Sequence, residues 1–481
     1  MSQTHEATTP GRRASGEPGK APDTQTLHAD VVISGGGPAG ATAAAHLAAA
    51  GAHVVVLEKT AHPREKVCGD GLTPQAVKEL QHLGIAHRGE PGDDGGWQRI
   101  RGLRLRAGRR SVQVPWPQTQ AWPDYALTRT RQDFDALLVD HARDQGAEVR
   151  ERHAVTGVLR NDAGRVTGLE AALNDERGRK TGQRVRVEAP VVLACDGVST
   201  RAAVSTGIHR REDRPMGVAV RAYYGAGTGG AERRSGAEGA GVGTGGLSRS
   251  QSEWMESWLQ LPDEHGNPLP GYGWLFPLAD GTVNVGLGIL NTSPQFGQLD
   301  YRALLRQWTG ALEADWGISE ATRTSKILGA ALPMAFNRTP QQVPGMLLVG
   351  DAAGMVSPFN GEGIGFAMEA ARHAADLSLD ALATGSDRGA DAVLARYPVM
   401  TQHLWGAHFQ LGAQFAKLIG HPSVMRAALA VGLRSPLLLR TVVRVMGNVV
   451  EPRDGDAVDR LVRLLERLTP ALTTADSRAV R

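Results

Sequence analysis

The clearest pattern of apolar and polar positions lies near the start of the chain. Asp30-Val31-Val32-Ile33-Ser34 is an apolar run of strand length, followed at once by Gly35-Gly36-Gly37-Pro38-Ala39-Gly40. Ala41 to Ala50 is a helix-like stretch of small residues closed by Gly51, and His53-Val54-Val55-Val56-Leu57-Glu58 is a second strand ending in an acid. Short β-branched runs bounded by turn residues read as buried strands. The order predicted is therefore strand, glycine turn, helix, strand. Further on, the pattern predicts a helix over Arg131–Asp144 and strands over Ala147–Val149 and Val155–Leu159. Pro190 to Cys195 reads as a buried strand ending in Asp196-Gly197, and Met346 to Val349 as another, running into Gly350-Asp351 ahead of a long helix from about Gly363. The segment leading to about Gly288 reads as β-rich with Gly/Pro turns, and residues 386–481 as mainly helical. Residues 1–28 carry no apolar periodicity and predict a disordered tail. The glycine-rich stretch 225–250 predicts a mobile loop.

Composition narrows the class. The chain has 481 residues, 41% hydrophobic and 21% charged, with a net charge of +3, which is ordinary for a globular protein and small for a nucleic-acid binder. Its only cysteines are Cys68 and Cys195, too few and too far apart for a disulfide or metal framework. Arg12-Arg13 is followed by no apolar segment, and no apolar run reaches the length that spans a bilayer. The expectation is a cytoplasmic protein able to lie peripherally on the membrane. The histidines show no metal-ligand spacing, so no metal is assigned.

Gly35, Gly37 and Gly40 meet the dinucleotide-binding fingerprint. The first makes a tight turn, the second admits a pyrophosphate to the backbone, and the third lets helix and strand pack closely. The helix start offers free N–H groups and partial positive charge to the phosphates. Glu58 follows about 20 residues on, where an acid binds a ribose with a free 2′-hydroxyl, favouring FAD or NAD over NADP.

The later motifs separate FAD from NAD. Cys195-Asp196-Gly197, and Gly350-Asp351-Ala352-Ala353 with Pro358 and Gly361-Glu362-Gly363-Ile364-Gly365, resemble the paired motifs of the flavoprotein hydroxylase and reductase superfamily. Pro63-Arg64-Glu65-Lys66-Val67-Cys68-Gly69-Asp70-Gly71 resembles the cysteine-glycine motif of the geranylgeranyl reductase family, and Gly271-Tyr272-Gly273-Trp274-Leu275-Phe276-Pro277 its Tyr-x-Trp-x-Phe-Pro motif. Within that family the chain is most similar to the actinobacterial menaquinone reductases, over about residues 29 to 455. Flavin halogenases carry Trp-x-Trp-x-Ile-Pro instead.

The resemblance implies an α/β fold, α+β in its two-domain layout. It pairs a Rossmann-like FAD-binding domain of the p-hydroxybenzoate-hydroxylase type with a β-rich substrate domain and C-terminal helices. The FAD domain would be discontinuous (29–100, 125–215 and 330–385), the cap would comprise 101–124 and 216–329, and a helical region would follow over 386–481. Implied FAD contacts are Gly35, Gly37, Pro38, Ala39, Gly40, Glu58, Lys59, Arg64, Cys68, Gly69, Arg131, Val155, Asp196, Gly350, Asp351, Gly361, Gly363 and Ile364. Arg131 taken singly reads more often as a solvated helix residue.

The implied reaction is saturation of a C=C bond in a prenyl lipid chain, with menaquinone as substrate. Alternatives are a geranylgeranyl lipid or diphosphate, or aromatic hydroxylation driven by NAD(P)H. The electron donor would be NAD(P)H or a redox protein. An isolated alkene needs a proton source, an apolar tunnel and π-faces to shelter positive charge. Tyr272, Trp274 and Phe276 could supply the faces, and Trp274 and Phe276 could instead be plain sheet core. Cys68 would donate or position the proton, or merely pack, and Cys195 reads as packing. Arg426, Arg434, Arg440 and Arg444 fall within an arc of about 120° on one helix, a pattern for an anionic membrane surface or for helices packed on the substrate domain with arginines in water. Ser435-Pro436 would divide that helix in two.

Overall fold

The computed structural model describes residues 24–472 and Thr474, apart from 88–89, 91–92, 109, 226–252, 260, 264–265, 267, 313–315, 422–423, 426–434 and 452–454. The glycine-rich stretch at 225–250 lies, beyond Gly225, outside the described residues, as do Arg426, Arg434 and the tail up to residue 23.

Val31–Ser34 and Val54–Leu57 are apolar on both faces and fully buried, as strands covered on both sides must be. They are the fourth and fifth strands of a six-stranded sheet ordered Gln342–Val343, Met346–Leu348, Val191–Ala194, Val31–Ser34, Val54–Leu57, Glu148–Arg150. Every pairing is parallel except that of the edge strand Gln342–Val343. The helix after the first strand runs Pro38–Ala49, beginning three residues before the Ala41 start expected from the sequence. Pro38 occupies the first helical position, where its missing N–H costs nothing. Ala43, Ala44 and Ala45 let this helix sit tightly against Ile364–Ala383 and Arg131–Asp144.

A four-stranded sheet holds Thr24–His28, Lys180–Glu188, Val166–Asn174 and His153–Arg160. Here the tail expected over 1–28 is corrected, because Thr24–His28 pairs in parallel with Lys180–Glu188. This edge strand is polar and largely exposed. It is held by backbone hydrogen bonds that leave no apolar trace in the sequence.

The third layer is a seven-stranded sheet ordered Leu328–Pro333, Met216–Tyr224, Val283–Leu290, Gly271–Pro277, Trp254–Trp258, Gly102–Ala107, Arg110–Pro115. Leu328–Pro333 is thus an edge strand of this sheet, and the chain next enters the six-stranded sheet at Gln342–Val343. One face packs Val285, Leu287 and Leu275 against Leu305 and Trp308 of the helix Tyr301–Gly310. The other face looks toward the nucleotide sheet. Helices Arg396–Ile419, Pro436–Gly447 and Ala457–Leu468 close the open side. Among the described residues no helix is long and apolar enough to cross a membrane.

The arginine arc does not survive as one exposed face. Arg444 is 7% exposed, and its guanidinium pairs with Asp456 and Asp459 at 2.8 Å each. Arg440 alone of the two described arginines is exposed. The acids that bury Arg444 lie on the next helix, beyond the reach of a single-helix projection.

Candidate active site

One cavity of about 1110 Å³ runs between the nucleotide sheet, the cap sheet and the C-terminal helices. Drug-sized pockets span roughly 300–1,000 Å³, so there is room for more than one ligand part. Every site residue named from the sequence lines this cavity except Gly40 and Gly350. Those two act by packing. A Cβ on Gly40 would fall 1.9 Å from Gly35 O, and one on Gly350 3.0 Å from Ala367 Cβ.

The nucleotide end is built from backbone. Gly35 has φ +95°, and a Cβ there would lie 2.6 Å from the carbonyl oxygen of Cys195. Gly37 caps the Pro38–Ala49 helix, whose first turn carries no acid. A Cβ on Gly37 would meet only the tip of Arg64, at 3.7 Å. The turn is therefore an open cradle aimed by a helix dipole, which suits a pyrophosphate. Glu58 is 4% exposed. It accepts from Gly36 N at 2.8 Å and Thr60 N at 3.1 Å, which fixes its carboxylate beside the cradle. Arg64 bridges Glu58 (3.6 Å) and Asp135 (3.1 Å). Arg131 forks onto Asp135 at 2.6 and 2.8 Å, held by a partner on its own helix rather than solvated. Asp196 accepts from Arg201 N at 2.7 Å through Oδ2, while its buried Oδ1 has no partner. An orphaned acceptor on the wall of an open cradle is what a dinucleotide with free hydroxyls would satisfy. Lys59 and Val155 stand on the rim of this end, and Asp351 lies in a 3-10 turn, Gly350–Ala353, beside Gly363.

The middle of the cavity joins three strands to one loop. Asp70 is fully buried with φ +64°. Its carboxylate accepts from Arg131 N (3.0 Å), Tyr223 Oη (2.7 Å) and Asn284 Nδ2 (2.7 Å). Burial pushes this carboxyl up to about 6 against those donors. Asn284 also donates to Cys68 O at 2.9 Å and accepts from Trp274 Nε1 at 2.9 Å. Arg221 donates to the carbonyls of Cys68 and Lys66 and pairs with Glu65. The Cys68-Gly69 loop is thereby fixed to the cap sheet. Gly69 lies under the aromatic pair, since a Cβ there would be 3.1 Å from the Phe276 ring and 3.3 Å from Trp274 Nε1. On the neighbouring strand, a Cβ at Gly286 would fall 2.2 Å from the Trp274 ring. That glycine makes the space in which the indole lies.

Tyr272, Trp274 and Phe276 follow one another along the wall with ring centroids 6.0 and 6.3 Å apart. Tyr272 Oη donates to Asn360 O at 2.6 Å. Enclosure pushes the Cys68 thiol and the Tyr272 hydroxyl up, so both stay protonated at neutral pH. Sequence reasoning missed Asp70, Asn284, Arg221 and Tyr223 as parts of this junction. Asp70 sat inside a quoted motif, but Asn284 lies 214 residues away from it and no local pattern marks it.

The far end is apolar. Leu411, Phe415 and Ile419 approach from one helix, Leu438, Val442 and Val445 from the next, and Leu465 from the last. Among the described residues no group of three or more His, Cys, Asp or Glu is arranged to hold a metal ion.

Comparison with known proteins gives this geometry a class. Residues 28–222 match the FAD binding domain family. The structure superposes on a geranylgeranyl bacteriochlorophyll reductase-like protein from Thermoplasma acidophilum with a TM-score of 0.69 at 19% identity, covering 92% of this chain and all of that one. The fold and nucleotide end are those of an FAD-dependent oxidoreductase. In sequence, the chain is 33% identical over 439 residues to the menaquinone reductase of Mycolicibacterium smegmatis, covering 90% of this chain and 95% of the relative. It is 28% identical to a digeranylgeranylglycerophospholipid reductase of Methanopyrus kandleri, covering 82% and 87%. The chain belongs to the menaquinone reductase family and is an FAD-dependent enzyme acting on CH–CH groups.

Proposed function

We propose that this protein saturates a C=C bond in the isoprenoid chain of menaquinone. The observation that carries the reading is the continuity of one cavity from a dinucleotide cradle, past an aromatic wall, to an apolar end among the C-terminal helices. A prenyl tail is a long apolar rod that needs such an end, whereas a small phenol would leave it empty.

In this reading the turn Gly35–Gly40, Glu58, Arg64, Arg131, Asp196 and Asp351 hold FAD, which when reduced supplies a hydride equivalent. Trp274 and Phe276 shelter positive charge developing on the chain and exclude water. Cys68 acts as a positioning residue, its carbonyl fixed by Asn284 and Arg221. The electron donor is NAD(P)H docking transiently or a redox protein.

A peripheral membrane contact fits the same geometry. Leu437, Leu464 and Leu468 are 50%, 52% and 73% exposed on helices that also line the apolar end. Such leucines at the mouth would sit in the headgroup–acyl boundary and give the tail a dry path inward. The support is these leucines and not the arginine arc.

The test is mass spectrometry of the quinones in a menaquinone-producing host with and without the protein. A new menaquinone heavier by one H2 is expected. An unchanged quinone pool with folded, FAD-loaded protein would reject menaquinone as substrate.

A further inference from the structure

Saturating an unactivated alkene needs a proton as well as a hydride, and the groups bordering the cavity can be compared as donors. Cys68 is enclosed and its thiol is pushed toward the weaker-acid side. Tyr272 has its proton committed to Asn360 O. Glu65 is paired with Arg221, and Glu58 is held by Gly36 N and Thr60. Asp351 and Asp196 lie with the nucleotide-binding turns. Glu362 differs from all of these.

Glu362 lines the cavity in the loop that precedes helix Ile364–Ala383. One carboxyl oxygen, Oε1, accepts from Gly365 N at 2.6 Å. The other, Oε2, has no partner among the described residues. The loop is pinned from two sides and braced within itself. Tyr272 of the cap sheet donates to Asn360 O, Asn360 Nδ2 donates to Met446 O at 2.7 Å, and Glu362 N donates to Asn360 Oδ1 at 3.0 Å. Glu362 therefore stands where the aromatic wall, the nucleotide end and the C-terminal helices meet, with one oxygen anchored and one free.

We propose that Glu362 is the proton donor of the reduction, its carboxyl protonating the less substituted carbon of the isoprenoid C=C. This rests on the prenyl-reductase reading. The π electrons would form the new C–H bond and leave the positive charge on the tertiary carbon, where the hydride equivalent that FAD supplies when bound and reduced would complete the saturation. Glu362 is left as carboxylate and regains its proton from water, so each turnover consumes one hydride and one proton.

The electrostatics allow this role. Burial pushes the Glu362 carboxyl up to about 7, Gly365 N–H opposes the shift, and the carboxylates of Glu369 and Asp351 add to it. Tyr272 is a further titratable group that faces it, with Cys68 and Lys66 one partner removed. Tyr272 feels both Cys68 and Glu362, and Lys66 lies against Asp351 with its ammonium pushed down by burial. A general acid works best when its pKa lies near the working pH. The acid form is present below about 7 and is lost above it, so turnover should fall about tenfold per pH unit on the alkaline side.

The experiment uses FAD-loaded full-length protein, reduced with dithionite under anaerobic conditions and mixed with menaquinone in detergent micelles. Flavin reoxidation is followed across pH in wild type, Glu362→Gln and Glu362→Asp. The carboxylic acid C=O band of each holoprotein is titrated by infrared difference spectroscopy without substrate. The expected result is a wild-type acid band that titrates near pH 7 and is missing in Glu362→Gln. Glu362→Gln should retain FAD and its reduction but lose about 100-fold or more in prenyl-dependent reoxidation. Glu362→Asp should recover part of that rate with a displaced pH profile. Wild-type rates in Glu362→Gln, or an unchanged alkaline limb, would overturn the donor while leaving the prenyl reductase intact. Loss of FAD from Glu362→Gln together with wild-type rates and pH profile in Glu362→Asp would also overturn it, as a loop anchor is then the better role. No reoxidation in wild type would overturn the substrate reading, and the donor with it.

Discussion

At the proposed nucleotide end of the cavity the lining groups are backbone amides, hydrogen-bonded carboxylates and the guanidiniums of Arg64 and Arg131, set on a mostly parallel sheet. At the lipid end they are Leu, Val, Ile and Phe side chains on three helices, several of them half in solvent. The first end has little freedom. Gly35 must take a positive φ, Gly40 must lack a Cβ, and Glu58 is bonded on both oxygens. The second end is held together by apolar contact, which is non-directional and tolerates substitution of similar volume. In the proposed reading a polar dinucleotide would be recognised by geometry, and a flexible chain by the absence of competing polar groups. The aromatic wall and the Cys68 loop are the seam between them.

The contrast is tested most severely by Gly40→Val. The new Cβ would fall 1.9 Å from Gly35 O, against backbone that cannot move without opening the turn. The expected result is loss of FAD and a stability cost of about 3 kcal/mol or more, read by flavin absorbance and thermal unfolding. Retained FAD would break the claim that this end is set by backbone.

At the seam, Trp274→Ala removes a ring that is 6% exposed and bonded to Asn284. A cost of about 3–5 kcal/mol is expected, with FAD kept and prenyl reduction abolished. Loss of FAD in parallel with activity would show that the two ends are not separable. The mildest change is Leu437→Ser combined with Leu464→Ser, outside the cavity lining. Binding to anionic vesicles should weaken roughly tenfold, while FAD content and turnover in detergent stay unchanged. Undiminished vesicle binding would remove these leucines from any membrane contact.

The same contrast explains what could be read from the sequence. The nucleotide end is local. Gly35, Gly37 and Gly40 lie on one turn, and the helix Arg131–Asp144 has the predicted bounds because Thr130 caps it through Asp133 N. The seam is not local. Asp70, Tyr223 and Asn284 come together from a loop and two strands of the cap, and their residue types carry no signal until the sheets are folded. Arg444 reads as exposed on its own helix and is buried by acids from the next. Thr24–His28 is a strand only because Lys180–Glu188 offers it an edge. Glu362 was visible in its glycine-flanked motif, but its free oxygen and surroundings were not.

The central claim is that one cavity delivers reducing equivalents from FAD to a prenyl chain. A single-turnover reaction tests it most directly. Purified holoprotein, its FAD reduced anaerobically, is mixed with excess menaquinone, and the tail is analysed by mass spectrometry alongside the flavin spectrum. The account predicts one saturated isoprenoid double bond for each FAD reoxidised. Flavin that stays reduced, or is reoxidised with the tail unchanged, would contradict it.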